Sequence, residues 1–155
     1  MSQGHSDRWY RWTIEDMAVI GLNERKYFEL EQLTLQDMCD LNATLNFVVT
    51  LCETARQEGL FALERFAKDT EDKFFRDMLW CAIDGLDPET IKELGLRRIV
   101  MSGKTGKPLI HDCMILDGIL GLLQGNNPFY MRWKMSTWIP GQAFEDDTYQ
   151  YDKWY

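Results

Sequence analysis

The sequence predicts an all-α protein in which about four to five helices pack into a bundle. Three observations support this fold class: apolar residues recur at helical spacing, polar capping residues precede the apolar segments, and glycines follow them. The chain has 155 residues, a length that suits one ordinary domain with its own core. Hydrophobic residues make up 45% of the chain and charged residues 27%, a balance typical of globular proteins.

Residues 1–33 form an N-terminal arm whose structure the pattern leaves open. Thr13-Ile-Glu-Asp is similar to a capping box and predicts a short helix that runs to Ile20 and stops at Gly21. Residues 27–33 (YFELEQL) alternate weakly between apolar and polar, which fits a strand or an extended arm.

Residues 34–140 form the predicted helical domain, and a helix over residues 34–66 is its predicted spine. Thr34 is the expected N-cap, with Asp37 three residues later. Gly59 interrupts or bends the spine. One apolar stripe runs along it, formed by Met38, Leu41, Leu45, Val48, Cys52 and Ala55.

Further helices are delimited by caps and breakers. Their predicted starts are Asp69 or Thr70, Asp87-Pro88, about Pro108, and Asn126-Asn127-Pro128. Their predicted ends are Gly85, about Met101, Gln124-Gly125, and Ile139-Pro140-Gly141. Residues 102–108 are expected to form a flexible basic loop.

Residues 141–155 form an acidic-aromatic tail without periodicity. It holds too many large aromatic side chains for a purely solvated segment, so we expect either that it folds back onto the helices or that it binds a partner. These aromatic residues are Phe144, Tyr149, Tyr151, Trp154 and Tyr155.

The net charge of −8, from 25 acidic and 17 basic residues, argues against nucleic-acid binding and against docking on anionic lipid. A basic protein surface is a better electrostatic match. The N-terminus lacks the apolar region of a signal peptide, and the longest apolar run, over residues 114–123, is broken by Asp117. We therefore expect a cytoplasmic protein that does not insert into a membrane.

The cysteines predict neither disulfides nor a metal site. They stand singly in apolar helical patterns, without a C-x-x-C motif, which is typical of buried free thiols in a reducing compartment. A metal site using them and His111 would need a fold that brings distant residues together. We expect no metal and no other cofactor. The cysteines are Cys39, Cys52, Cys81 and Cys113.

No motif predicts catalysis. Gly103-Lys104-Thr105 ends like a phosphate-binding loop, but Arg98 stands where that motif needs its first glycine, so a solvated turn is predicted. The neighbours in His111-Asp112-Cys113 point in different directions on a helix, which favours a surface histidine beside a buried cysteine. Asp84 and Asp87 fit helix caps better than an acid–base pair. We therefore expect a non-enzymatic protein with no catalytic residues.

Arg56 and Glu64 are the candidate protein-binding residues. They flank Gly59 in the segment ARQEGLFALER. Solvated surface charges, a pair formed within the chain, and a charged docking face all fit this pattern, and composition does not choose between them.

Three segments resemble the cytoplasmic portion of MotA-type flagellar motor stator proteins. Residues 55–64 (ARQEGLFALE) are similar to the family's A-R-x-x-G-[LIF]-x-A-L-E segment. Residues 74–78 (FFRDM) and 84–89 (DGLDPE) resemble the region of its D-G-x-D-P-E segment. Residues 114–128 (MILDGILGLLQGNNP) are similar to the stretch after its last membrane helix. The segments stand in the family's order over roughly residues 38–140.

The resemblance implies a MotA-like protein-binding module associated with a flagellar or related motor. In the family, the charged residues that match Arg56 and Glu64 contact the rotor switch protein, so that protein or another motor component is the implied partner. The family's membrane helices have no counterpart here, so the chain is not expected to conduct ions itself. The alternative is a structural or adaptor protein that keeps the stator's cytoplasmic fold and acts outside motility.

Overall fold

The computed structural model describes residue 16 and residues 25–141, and the elements in this part of the chain are helical. Short 3-10 helices at Leu30–Gln32 and Leu60–Leu63 accompany the α-helices. The all-α prediction is therefore confirmed. The α-helices of this part are α1 Arg25–Phe28, α2 Leu35–Glu58, α3 Glu64–Asp69, α4 Lys73–Ile83, α5 Pro88–Ser102, α6 Gly106–Gln124 and α7 Pro128–Ser136. Within the described residues, no helix combines the length and the apolar character that crossing a membrane requires.

The predicted strand or extended arm over residues 27–33 is wrong, because α1 and the first 3-10 helix occupy this segment. Its apolar side chains are half-buried against the core, and helical turns bring them to one side more directly than a strand would. They are Tyr27, Phe28, Leu30 and Leu33. The helix predicted from Thr13 to Ile20 lies outside the described residues apart from Asp16, whose carboxylate pairs with Lys92 at 3.3 Å.

Most helix starts follow the predicted caps. Thr34 and Asp37 form a reciprocal capping box, with hydrogen bonds of 3.1 and 2.9 Å. Asp87 accepts from the backbone N–H of Thr90, and Asn127 accepts from that of Tyr130. These side chains satisfy backbone donors that the first turn of a helix leaves unpaired.

Two helix starts differ from the prediction. The N-cap of α4 is Asp72 rather than Asp69 or Thr70, because the Thr70 hydroxyl accepts from the Asp72 N–H and turns the chain once more. Helix α6 begins at Gly106, so the predicted loop over 102–108 shortens to residues 103–105. Pro108 is tolerated there because it lies in the first helical turn.

The predicted spine over residues 34–66 is not one continuous helix. Helix α2 ends at Glu58, and Gly59 has φ 89° and ψ 166°, a conformation that a side chain at this position would disfavour. The chain then passes through the 3-10 turn at 60–63 into α3. Arg65 donates to both carboxylate oxygens of Glu58 across the break, at 3.4 and 3.2 Å. We call residues 56–68 the elbow.

Helix α6, rather than the predicted spine, lies at the centre of the bundle. Residues 112–120 are all buried, and α6 packs against α1, α2, α4, α5 and α7. Such a helix is apolar nearly all round, as expected for an element with neighbours on every side. Its buried Asp112 and Asp117 are the exceptions, and both need partners from other elements.

The prediction of buried free thiols holds in part. Among the described residues the four cysteines are free; Cys52 and Cys113 are buried and Cys81 is half-buried, whereas Cys39 is exposed. Cys39 follows Met38 directly, so it lies off the apolar stripe of α2 and turns toward solvent.

Candidate functional site

Arg56 lies in the last turn of α2 and is exposed. Its guanidinium donates a hydrogen bond of 3.1 Å to the carbonyl oxygen of Gly125, in the connection between α6 and α7. A cation at the carboxyl end of a helix also interacts favourably with the helix dipole. Arg56 therefore has a structural role, but a guanidinium carries several N–H donors, so this contact leaves capacity for a partner.

Glu64 is the first residue of α3, with its side chain 42% exposed. Its carboxylate lies 3.6 Å from the ammonium of Lys68, one turn further along the helix. An acid at the amino end of a helix suits the dipole there. Neither this position nor the exposed ion pair ties the carboxylate down strongly, because such pairs contribute about 0–1 kcal/mol.

The structure does not pair Arg56 with Glu64. The break at Gly59 puts them on separate helices, so the helical periodicity of one continuous spine does not relate them. Each instead contacts a different group, Gly125 for Arg56 and Lys68 for Glu64. The sequence left three interpretations of Arg56 and Glu64 open: solvated surface charges, an ion pair between the two, and a charged docking face. The structure does not support the ion pair.

Phe61 is an elbow residue that the sequence pattern did not identify as functional. It is 74% exposed, whereas Leu63 in the same 3-10 turn is fully buried and Leu60 is half-buried. In a 3-10 helix, side chains three residues apart point in nearly the same direction. Leu60 and Leu63 both face the core, so Phe61 faces solvent. A large exposed aromatic side chain between charged residues is typical of protein interfaces.

A second group of polar residues joins three helices at one point. The His111 ring lies between Thr44 of α2, whose Oγ1 is 2.8 Å from Nδ1, and Asp72 at the start of α4, whose Oδ2 is 2.8 Å from Nε2. On the next residue, Asp112 Oδ2 accepts from the ammonium of Lys104 at 2.9 Å. We call Asp72, His111 and Asp112 the polar cluster. The prediction of a surface histidine beside a buried cysteine holds in part: Cys113 is buried, but His111 is half-buried, with 32% of its side chain exposed, and it bridges helices.

The pKa values of the two carboxyl groups in the polar cluster shift in opposite directions. The hydrogen bond from His111 is the main cause that lowers the pKa of Asp72, which also caps α4 by accepting from Phe75 N–H at 3.1 Å. Burial raises the pKa of Asp112, and the nearby Lys104 opposes that effect only in part. Asp112 Oδ1 is buried and has no hydrogen-bond partner among the described residues.

A third polar group is structural. The buried Asp117 of α6 accepts from the indole N–H of Trp138 at 2.8 Å, and its other oxygen lies 3.1 Å from the ammonium of Lys134. Lys134 is itself largely buried, with 15% of its side chain exposed. These contacts attach α7 and the turn after it to the centre of the bundle. Burial raises the pKa of Asp117 despite this cation.

Comparison with known proteins gives a partial similarity. The chain is 36% identical over 67 residues to Motility protein A of Helicobacter pylori, both from strain ATCC 700392 / 26695 and from strain J99 / ATCC 700824. The matched segment covers 43% of this chain and 26% of each relative, so the chain spans about a quarter of their length. No protein-family model matches the chain. No solved structure matches it either.

The similarity relates less than half of this chain to a motility protein. It agrees with the resemblance to MotA-type stator proteins noted in three segments of the sequence.

Proposed function

We propose that this chain is a non-enzymatic protein-docking module of a motility apparatus and that the elbow is its docking site. The proposed partner is the rotor switch protein or another motor component, met at the cytoplasmic side of a membrane motor complex. The observation that carries the proposal is Phe61, an aromatic side chain 74% exposed between the charges of Arg56 and Glu64. The partial similarity to Motility protein A supports the choice of a motility partner.

The contacts that Arg56 and Glu64 make within the chain are compatible with docking. Both side chains remain accessible, and the Glu64–Lys68 pair is weak because water screens it. A partner base can therefore replace Lys68 at the carboxylate, and a partner acid can use the remaining donors of Arg56. Neither exchange requires the helices to move.

The recognition chemistry follows from these three residues. The partner would offer an apolar pocket for Phe61, an acid for Arg56 and a base for Glu64. Burial of an aromatic anchor gives most of the affinity in such interfaces, whereas rim charges mainly select the partner and speed association. Binding should therefore weaken as salt concentration rises.

Calorimetric titration with the purified rotor switch protein of the same organism tests the proposal. Phe61→Ala, and separately Arg56→Glu combined with Glu64→Lys, should each weaken binding about tenfold or more, since tenfold corresponds to about 1.4 kcal/mol. The double reversal leaves the net charge unchanged.

Glu93→Lys combined with Arg97→Glu is the matched control. These two residues are exposed charges of opposite sign on α5, with 63% and 61% of their side chains exposed. Their double reversal also keeps the net charge and should leave binding unchanged. Thermal melts check that every variant is folded. Equal binding by the elbow and control variants would contradict the elbow as docking site, and no binding by the unmodified chain would contradict this choice of partner.

A further inference from the structure

We propose that Asp72, His111 and Asp112 form a binding site for a divalent transition-metal ion, with Zn²⁺ the best match. One ligand atom from each residue can be chosen so that all three lie within 4.8 Å of one another. An imidazole nitrogen with two carboxylate oxygens is a donor set that zinc accepts, whereas Mg²⁺ and Ca²⁺ prefer oxygen ligands alone. Three protein ligands leave a coordination position for water or another ligand.

The buried carboxylate of Asp112 is the first observation that calls for a cation. Its side chain is 2% exposed, and Oδ1 has no hydrogen-bond partner among the described residues. Lys104 contacts the other oxygen, Oδ2, at 2.9 Å, so Oδ1 has lost water without gaining a hydrogen-bond donor, which is costly for a buried oxygen. A metal ion held by Oδ1 would satisfy it.

His111 is oriented for ligation by its other ring nitrogen. The Thr44 hydroxyl lies 2.8 Å from Nδ1 and 3.2 Å from the backbone carbonyl of Asp40. In the metal-free protein Nε2–H donates to Asp72. When a metal takes the place of that proton, the Thr44 hydroxyl can donate to the Asp40 carbonyl while its oxygen accepts from Nδ1–H, which leaves the Nε2 lone pair for the metal. Metal-binding histidines are commonly held this way, by an acceptor at the nitrogen that does not bind the metal.

Asp72 is likewise fixed in place. Its Oδ1 accepts from Phe75 N–H as the cap of α4, which leaves Oδ2 directed at Nε2 of His111. A metal between Oδ2 and Nε2 would therefore keep the helix cap. It would also link the start of α4 to α6.

Lys104 supplies the cation that balances Asp112 when no metal is bound. Its ammonium is 2.9 Å from Asp112 Oδ2, but 42% of its side chain is exposed and it lies on the short loop 103–105. The side chain can swing into solvent when a metal arrives. A surface cavity of about 560 Å³, lined by Asp72, Lys104 and Asp112 among others, provides the path of entry. Lys104 should therefore compete with the metal.

Isothermal titration of the chelator-treated protein with ZnCl₂ tests the site. We expect one Zn²⁺ per chain with a Kd below about 10 μM. His111→Ala should weaken binding at least tenfold. Lys104→Ala should tighten binding, a result that a purely structural role for Lys104 would not produce. Because Lys104→Ala keeps all three proposed ligands, its result does not depend on whether His111→Ala folds well, and a thermal melt checks that Lys104→Ala, which removes the cation beside the buried Asp112, is itself folded.

Two controls distinguish this site from adventitious binding. Glu71 lines the same cavity but is exposed and outside the polar cluster, so Glu71→Gln should bind as the unmodified chain does. Cys39 is an exposed thiol, so Cys39→Ser should also keep the site. An absence of stoichiometric binding, its loss in either control variant, or weaker binding by Lys104→Ala would overturn the proposal.

Discussion

Gly118 is the point at which α6 meets α2, and Gly118→Ala tests that packing. A Cβ at this position would lie 2.6 Å from Val48 Cγ1 and 3.3 Å from Cγ2, whereas carbon atoms in contact are about 3.5–4.0 Å apart. Val48 has little rotational freedom, because a β-branched residue in a helix strongly prefers one rotamer. Overpacking of this kind costs about 1–3 kcal/mol, and the better helix propensity of alanine offsets about 1 kcal/mol. The net destabilisation should be about 1 kcal/mol.

The sign of this effect should reverse when Val48 is truncated. In a Val48→Ala background both crowded carbons are gone, so Gly118→Ala should stabilise the protein by about 0.5–1 kcal/mol through helix propensity alone. Urea unfolding followed by far-ultraviolet circular dichroism gives the four free energies of this cycle, with an expected coupling of about 2 kcal/mol. If Gly118→Ala has the same effect in both backgrounds, the helices do not meet here as described.

Three further predictions concern buried groups and thiols. Lys134→Met should lower the free energy of unfolding, measured by urea denaturation, by about 3–5 kcal/mol, because it leaves the buried Asp117 without its cation. The control Lys68→Met removes one partner of an exposed ion pair and should change the free energy of unfolding little. Burial raises the pKa of Asp117, so the folded protein holds the Asp117 proton to a higher pH than the unfolded chain, which loses it at a pH of about 3.9. The contribution of Asp117 to the free energy of unfolding therefore falls as the pH rises from the unfolded-state pKa to the folded-state pKa. The stability of the unmodified chain relative to Asp117→Asn should therefore increase as the pH falls from neutral toward about 3.9, and a difference that stays constant over this range would contradict the raised pKa. Cys39 should react first with a thiol reagent and Cys113 should react only on unfolding, because burial strongly raises the pKa of the Cys113 thiol; equal rates in the native protein would contradict this burial.

The helix ends could be predicted from sequence because their determinants are local. The capping box at Thr34 and the Asp87-Pro88 start each lie within one helical turn of the backbone groups that they satisfy. Gly59 likewise marked the break in the spine, although sequence alone did not decide between a bend and a full interruption. The start of α4 was misplaced because the Thr70 hydroxyl accepts from the Asp72 N–H, so that Asp72 rather than Thr70 caps the helix by accepting from the Phe75 N–H.

The centre of the bundle and the polar cluster could not be predicted in this way. Asp117 looked like an interruption of an apolar run, because its partner Lys134 is contributed by another helix. His111 and Asp72 are 39 positions apart, so no spacing motif relates them. The expectation that no metal would bind rested on the isolated cysteines and on the spacing of candidate ligands, and spacing does not describe a cluster that tertiary packing assembles.

The exposure of Phe61 at the elbow could not be predicted from the sequence either. Arg56 and Glu64 were identified through a family resemblance, whereas Phe61 between them stands in a segment whose other apolar residues are buried or half-buried. Periodicity alone groups Phe61 with those residues. Only the 3-10 turn at residues 60–63 explains why it turns outward.

The central claim is that the elbow recognises a protein partner through matched charges, and a charge-swap measurement tests it most directly. The Arg56→Glu, Glu64→Lys variant is titrated against the partner and against a partner whose contacting acid and base are reversed. We predict that the mismatched pairs bind at least about tenfold more weakly and that the doubly reversed pair recovers most of the original affinity, as direct charge contacts require. Mismatched pairs that bind as tightly as the original, or a reversed pair that stays as weak as they are, would contradict the account.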